Sequence, residues 1–334
     1  NFISSTGTVI VLIAGPILAL STGLSISDVV AFLLYLNLFY APISTLTRVV
    51  EDMQQALAGA ERVFEVLDTE PDIKDSLNAR KVGRLSGQVE FRNVSFKYPG
   101  AEEYVLKNIS FTAKPGETTA FIGSTGAGKS TLVNLIPRFY DVTEGQILLD
   151  GEDIRNIRLR NLREKIGYVP QKSVLFSGTI ESNIKYGKNA DVGDEDVQKA
   201  IEIAQAKGFI EEKENGILSE ISQGGTNVSG GQRQRLSIAR ALAKRPKVYI
   251  FDDSFSALDF KTDAALRKAL SEETKDKTVL IVAQRISTIM NAEKIIVLDE
   301  GKIVGMGTHK ELLKNCSVYK QIALSQLSEE ELAI

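Results

Sequence analysis

Gly123-Ser124-Thr125-Gly126-Ala127-Gly128-Lys129-Ser130-Thr131 is the run whose reading decides the fold of this chain. It fits the spacing GxxxxGK[ST]. An apolar stretch over 118–122 precedes it and reads as a strand, and 132–139 follows it and reads as a helix. A glycine-rich turn between a strand and a helix lets backbone N–H groups close on an anion, and the helix N-terminus adds partial positive charge. Lys129 can reach β- and γ-phosphates, while the Ser130 hydroxyl suits Mg²⁺. The run is expected to cradle a nucleoside triphosphate.

Working outward, charge divides the chain. Across residues 1–47 the single charged residue is Asp28, whereas the sequence after Arg48 is rich in Lys, Arg, Asp and Glu. A membrane segment joined to a soluble one is the expectation. The net charge of −3 comes without a basic stripe, so nucleic acid is not an expected partner. One cysteine, Cys316, excludes an internal disulfide framework, and one histidine, His309, excludes a histidine-cluster metal site. The chain starts at Asn1, with no positive charge before its first apolar run, so a signal peptide is a poor reading and a C-terminal piece of a longer protein is expected.

Residues 2–24 are long enough for a bilayer crossing, and 28–47 come close to it, with a short polar connection between them. They predict a transmembrane hairpin in the lipid bilayer, with Gly15-Pro16 in mid-span. The positive-inside tendency places Arg48 and the soluble part in the cytoplasm. Helical spacing of Val49, Met53, Ala56, Ala60, Val63, Phe64 and Leu67 extends the second helix to about 68, where Glu70-Pro71 stops it. Residues 69–87 read as a polar linker. Strands over 88–94, 95–98 and 106–113 predict an antiparallel β layer. Further strands are expected at 145–149, 166–169, 248–252, 279–282 and 295–298, with a hairpin edge at 301–305. Residues 191–208 and 215–223 read as helical, and 236–243 as a helix after a Gly-Gly run. The soluble part, 88–334, is therefore α/β.

The phosphate loop, Gln171, the run Val228-Ser229-Gly230-Gly231-Gln232, the strand ending in Asp252, and Ser256-Ala257-Leu258-Asp259 occur together in one order. In that order they resemble the nucleotide-binding domain of ABC transporters. The hairpin before them resembles the last two membrane helices of an ABC exporter, whose halves carry six, so the first four are expected to be missing. The resemblance implies a P-loop domain with a RecA-like core, an antiparallel β layer and a helical subdomain, using ATP and Mg²⁺. It implies that Tyr98 stacks on adenine and that Gln171 and Asp252 join Ser130 around Mg²⁺. Ser229, Gly230, Gly231 and Gln232 match the signature that binds the γ-phosphate held by an opposite subunit, and Asp259 matches the loop that crosses that interface. A plasma-membrane, multi-pass exporter of amphipathic small molecules is the implied whole; lipid or peptide export as a homodimer and a non-pumping ATP-binding regulator stay open.

Two positions depart from the family pattern. Asp253 stands where the resemblance implies Glu, the base that polarises the attacking water, and the missing methylene draws the carboxylate back by about 1.5 Å. Gln284 stands where a histidine contacting the γ-phosphate is implied, and an amide is neutral at every pH. Together they predict slow hydrolysis at this chain's own site, since general-base help is worth about 10²–10⁴ in rate. The intact signature then predicts a partner: a second, different ABC half-transporter that carries Glu and His, as in bacterial heterodimeric multidrug exporters.

Overall fold

A computed structural model of the chain describes residues 2–83, 85–187 and 192–327. It resolves into two compact units, 1–72 and 73–334. The expected linker residue Arg84, the start of the expected helical region at Asp191, and the last residues of the soluble part lie outside the described residues.

The first unit is a helical hairpin. Helix α1 (Phe2–Thr22) carries Pro16, and helix α2 (Ile26–Leu67) runs 42 residues, about 63 Å at 1.5 Å per residue. That is twice the hydrocarbon thickness of a bilayer, so α2 is long enough to cross and to continue beyond it. Both helices are long and apolar enough to cross a membrane. Asp28 is accounted for locally. It forms a capping box with Ser25, whose side chain accepts the Asp28 N–H while the Asp28 carboxylate accepts the Ser25 N–H at 3.0 Å. At Gly15 a Cβ would come within 2.7 Å of Val29 Cγ1, so only glycine lets α1 and α2 approach so closely there. Leu20 and Ile26 are 91% and 81% exposed, an apolar surface that water does not favour.

The second unit is layered. Strands β1 (Val89–Phe96), β2 (Leu106–Ala113), β3 (Thr118–Gly123), β4 (Glu144–Leu149), β5 (Glu152–Asp153) and β6 (Ile166–Val169) come first. The pair β7 (Gly178–Thr179) and β8 (Glu220–Ile221) follows, then β9 (Val248–Asp252), β10 (Thr278–Val282), β11 (Lys294–Asp299) and β12 (Lys302–Gly307). One sheet is antiparallel in the order β2-β1-β4-β5; the other has the order β12-β11-β3-β10-β9-β6, parallel except at the β12 edge. Period-two alternation builds two cores. Along β9, Tyr249 and Phe251 join one core, while Val248 and Ile250 join a second with Phe91 and Phe111 of the antiparallel sheet, Phe121 of β3 and Leu132 after the phosphate loop. A strand buried on both faces reads as a continuous apolar run, which is why β9 is legible from sequence.

Three expectations are corrected. The strands predicted at 88–94 and 95–98 are one strand, β1, with register shifts around Asn93, whose φ of 48° kinks it without ending it. Residues 215–223 form two single 3₁₀ turns and β8, because Gly216, Gly224 and Gly225 break any longer helix. The helix expected at 236–243 starts earlier, at Gly230. The stretch read as a linker is laid onto the second unit from Ile73: Arg80 bridges to Ile157, Val82 N–H donates to Asn161 at 2.7 Å, and the N–H groups of Ser86, Gly87 and Gln88 converge on Asp150.

Candidate functional site

The carboxyl ends of β3, β6, β9 and β10 open on one side of the parallel sheet, where ligands of α/β folds bind. The loop after β3 holds the phosphate-cradle run. Gly128 sits at φ 95° as the N-cap of helix α3 (Lys129–Leu135), and a Cβ there would lie 2.7 Å from Leu106 Cδ2. Only glycine supplies both the left-handed turn and the close approach. Ser124, Thr125 and Gly126 form an exposed rim, and Ala127 and Gly128 are buried beneath it. Lys129 Nζ donates to the carbonyls of Gly123 and Ser124, both at 2.7 Å, which places the cation across the mouth of the loop. Burial pushes the Lys129 pKa down, against the pull of Asp253 and Asp252.

Asp252 ends β9, and Asp253 follows it. The Ser130 hydroxyl donates to Asp252 Oδ1 at 2.9 Å, and the Tyr168 hydroxyl lies 3.4 Å from Asp252 Oδ2 and 2.7 Å from Asn134 Oδ1. Burial raises the pKa of Asp252, with Asp253's charge adding to it and Ser130 and Tyr168 opposing it; burial also raises that of Asp253. Gln171, after β6, and Gln284, after β10, both donate to Asp253 Oδ2, at 3.2 and 2.7 Å. A cleft of about 230 Å³ is lined by Thr125, Gly126, Lys129, Gln171, Asp253 and Gln284 among others.

A hydroxyl, a buried carboxylate and an amide fit Mg²⁺. That ion takes hard oxygen donors and relies on one or two carboxylates plus substrate phosphates instead of an all-protein cage. Ser130, Asp252 and Gln171 would hold it, and when bound it would neutralise charge on the phosphates. Asp253 and Gln284 face the same cleft, and Lys129 supplies a cation at its floor.

The remaining expected residues are placed as follows. Tyr98 has its hydroxyl 2.9 Å from Thr131 Oγ1 and its ring edge-on to Phe96 and Tyr140, which fixes its orientation beside α3. Ser229 is the N-cap of the helix Gly230–Ala243 in a capping box with Gln232, the two exchanging bonds of 3.0 and 3.2 Å. Ser229 and Gly230 are exposed, and none of Ser229, Gly230, Gly231 and Gln232 lines the phosphate cleft. Asp259 is the N-cap of the helix Phe260–Glu273, accepting the Thr262 N–H at 2.9 Å, a structural role within its own chain. His309 does not line the cleft either; it is buried, with Nδ1 2.7 Å from the Tyr319 hydroxyl.

Comparison with known proteins gives the family of the second unit. The family described as "ABC transporter" matches residues 106–256. The second unit is an ABC-type ATPase domain. An ABC transporter ATP-binding protein of Mycobacterium tuberculosis is 44% identical over 306 residues, covering 91% of this chain and 52% of the relative. A lipid A-core flippase of Syntrophus aciditrophicus is 44% identical over 301 residues, covering 90% and 50%. A Staphylococcus aureus protein whose name reads in part "multidrug export ATP-binding/permease protein" is 41% identical over 322 residues, covering 96% and 56%. A solved bacterial Atm1-family ABC exporter with ATP bound matches with a TM-score of 0.78 at 35% identity, covering 92% of this chain and 53% of that one. The chain therefore has an ABC exporter fold and spans about half the length of the curated relatives it matches.

Sequence reading missed the supports of the ABC site. Asn134 Oδ1 accepts from the Tyr168 hydroxyl and holds it beside Asp252, and the buried Ser254 hydroxyl donates to Val169 O at 2.9 Å, fastening the turn after β9 to the end of β6. For Tyr168 a local hint existed in its position two residues before Pro170; for Asn134 and Ser254 none did.

Proposed function

We propose that this chain is the ATP-binding and membrane-spanning part of an ABC exporter that works with a second ABC half-transporter in the plasma membrane. The observation that carries the reading is the separation of two half-sites on one domain. The phosphate loop, Gln171 and Asp253 line a cleft, with Asp252 behind it on the Ser130 hydroxyl, and the signature residues present an exposed, capped helix start outside it. A helix N-terminus with a serine hydroxyl suits an anion, and here that anion is the γ-phosphate held by the partner's loop. Two domains facing each other then complete two sites, with ATP bound between them. Closing and reopening that pair shifts the membrane helices between inward- and outward-facing states. With Asp253 and Gln284 at the γ-phosphate side, this chain's own site turns over slowly and the partner's site supplies most of the hydrolysis.

The cargo we favour is an amphipathic small molecule. Lipid export is supported equally by relatives named lipid A-core flippases at 41–44% identity. Reconstitution of the full-length transporter in proteoliposomes separates the readings. ATP-driven flux of an amphipathic dye, lost on Lys129→Ala, supports the small-molecule reading; flux of a headgroup-labelled lipid without dye flux favours the flippase. A pump also loses flux when the partner's catalytic glutamate is replaced, whereas flux that survives the replacement identifies a non-pumping regulator.

A further inference from the structure

Three loops converge on one oxygen. Oδ2 of Asp253 accepts from Gln284 Nε2 at 2.7 Å and from Gln171 Nε2 at 3.2 Å, so the ends of β6, β9 and β10 are tied at a single atom. An ionised carboxylate only accepts, which fixes both amides with nitrogen inward. Asp253 is 9% exposed, and water competes poorly for it. Its backbone is committed as well: φ is 47°, a left-handed conformation in which aspartate is enriched, and its N–H donates to Val282 O at 2.9 Å. Gln284 is braced from behind by Gln326, whose Nε2 donates to Gln284 O at 2.8 Å while its Oε1 accepts the Ile286 N–H at 2.9 Å.

The side-chain lengths fit each other. A glutamate at 253 would carry its carboxylate about 1.5 Å further, into the space the Gln284 amide fills. An aspartate without Gln284 would lose its shorter hydrogen bond, the one that orients Oδ2 toward the loop after β10. Asp253 and Gln284 thus behave as one change, not two separate losses. We propose that Gln284 is a positioning residue acting through Asp253, and that the pair clamps Gln171 with its amide oxygen turned toward the Mg²⁺ of a bound nucleotide. The proposal rests on the reading of this cleft as an Mg–ATP site.

The test is a double-mutant cycle on the full chain, read as equilibrium binding of radiolabelled ATP across a Mg²⁺ titration and again in EDTA. Gln284→Leu is expected to weaken Mg²⁺-dependent ATP binding about tenfold, the scale of one hydrogen bond to a charged group, and to leave binding in EDTA unchanged. In the Asp253→Ala background the same change is expected to cost less than about twofold, since the two act as a unit. Gln284→His, which keeps an N–H donor, should stay within about twofold of the unaltered chain. Should melting curves show Gln284→Leu unfolded, Gln284→Asn, whose amide stops one methylene short, should give the same Mg²⁺-specific loss. Equal losses in both backgrounds would place Gln284 directly on the nucleotide and overturn the clamp, as would no loss in the unaltered background. Failure of the unaltered chain to bind ATP overturns the cleft reading beneath it. Turnover does not enter, so a fast ATPase would remove the slow-site reading while leaving the clamp standing.

Discussion

At the phosphate cleft the polar side chains are partnered within and between loops of the fold, whereas at the start of the helix Gly230–Ala243 they are partnered within a single turn. Lys129 rests on two carbonyls of its own loop, Ser130 on Asp252, and Asp253 on two glutamines. The Ser229 hydroxyl accepts from Gln232 N–H, three residues away, and both Ser229 and Gly230 are exposed. The cleft is held by contacts between loops, and the signature run by a cap local to one exposed helix start outside it.

The largest effect expected of this contrast is at Lys129. Lys129→Ala should abolish labelling of this chain by a photoreactive ATP analogue, a loss of a hundredfold or more, and unchanged labelling would remove the cleft from the comparison. Next, Ser229→Ala should lower the ATPase of the assembled transporter about tenfold or more, while Asp253→Ala lowers it less than about threefold. Equal losses would make the two half-sites equivalent. Melting curves control for the cap, since losing a serine N-cap costs about 1 kcal/mol of stability. Tyr98→Ala should weaken ATP binding by about 1–3 kcal/mol, the range of base–aromatic stacking. Tyr98→Phe removes only the bond to Thr131, and no loss with either change would confine Tyr98 to the aromatic cluster with Phe96 and Tyr140.

A smaller effect tests the latch that joins 86–88 to the domain. Burial pushes the Asp150 carboxyl up, but hydrogen bonds from Ser86, Gly87 and Gln88 outweigh it and leave the pKa below the usual range. A depressed folded pKa stabilises above the unfolded value of about 3.9 and loses that contribution as pH falls through the lower folded value. Asp150→Asn should therefore destabilise by about 2 kcal/mol at neutral pH, and the gap should close below about pH 4. A gap constant with pH would show that packing, not the charged acceptor, holds the latch.

How much of this was legible depended on the range of the cause. β6 and β9 stand at their predicted residues because a strand buried on both faces writes its apolar run into adjacent positions. The phosphate loop was legible for a similar reason, its glycines and lysine being set by one local turn. Residues 215–223 misled because apolar residues there imitate a helix that Gly216, and Gly224 and Gly225 just beyond the stretch, all at positive φ, confine to single turns. The early start at Gly230 was hidden by the low helix propensity of two glycines, which the Ser229–Gln232 box outweighs. The braces of Asp252 and the Gln284–Asp253–Gln171 contact join residues dozens of positions apart. No local period encodes them, and only the sheet order brings them together.

The central claim is that this chain binds ATP at a cleft built for slow turnover. The direct measurement compares ATP hydrolysis by the unaltered chain with that of the Asp253→Glu plus Gln284→His variant, with ATP affinity measured on both. The account predicts equal binding and a rise in turnover of about tenfold or more in the variant. An unaltered chain that already hydrolyses ATP as fast as the variant would contradict it, making Asp253 and Gln284 working substitutes and a homodimeric exporter the better description.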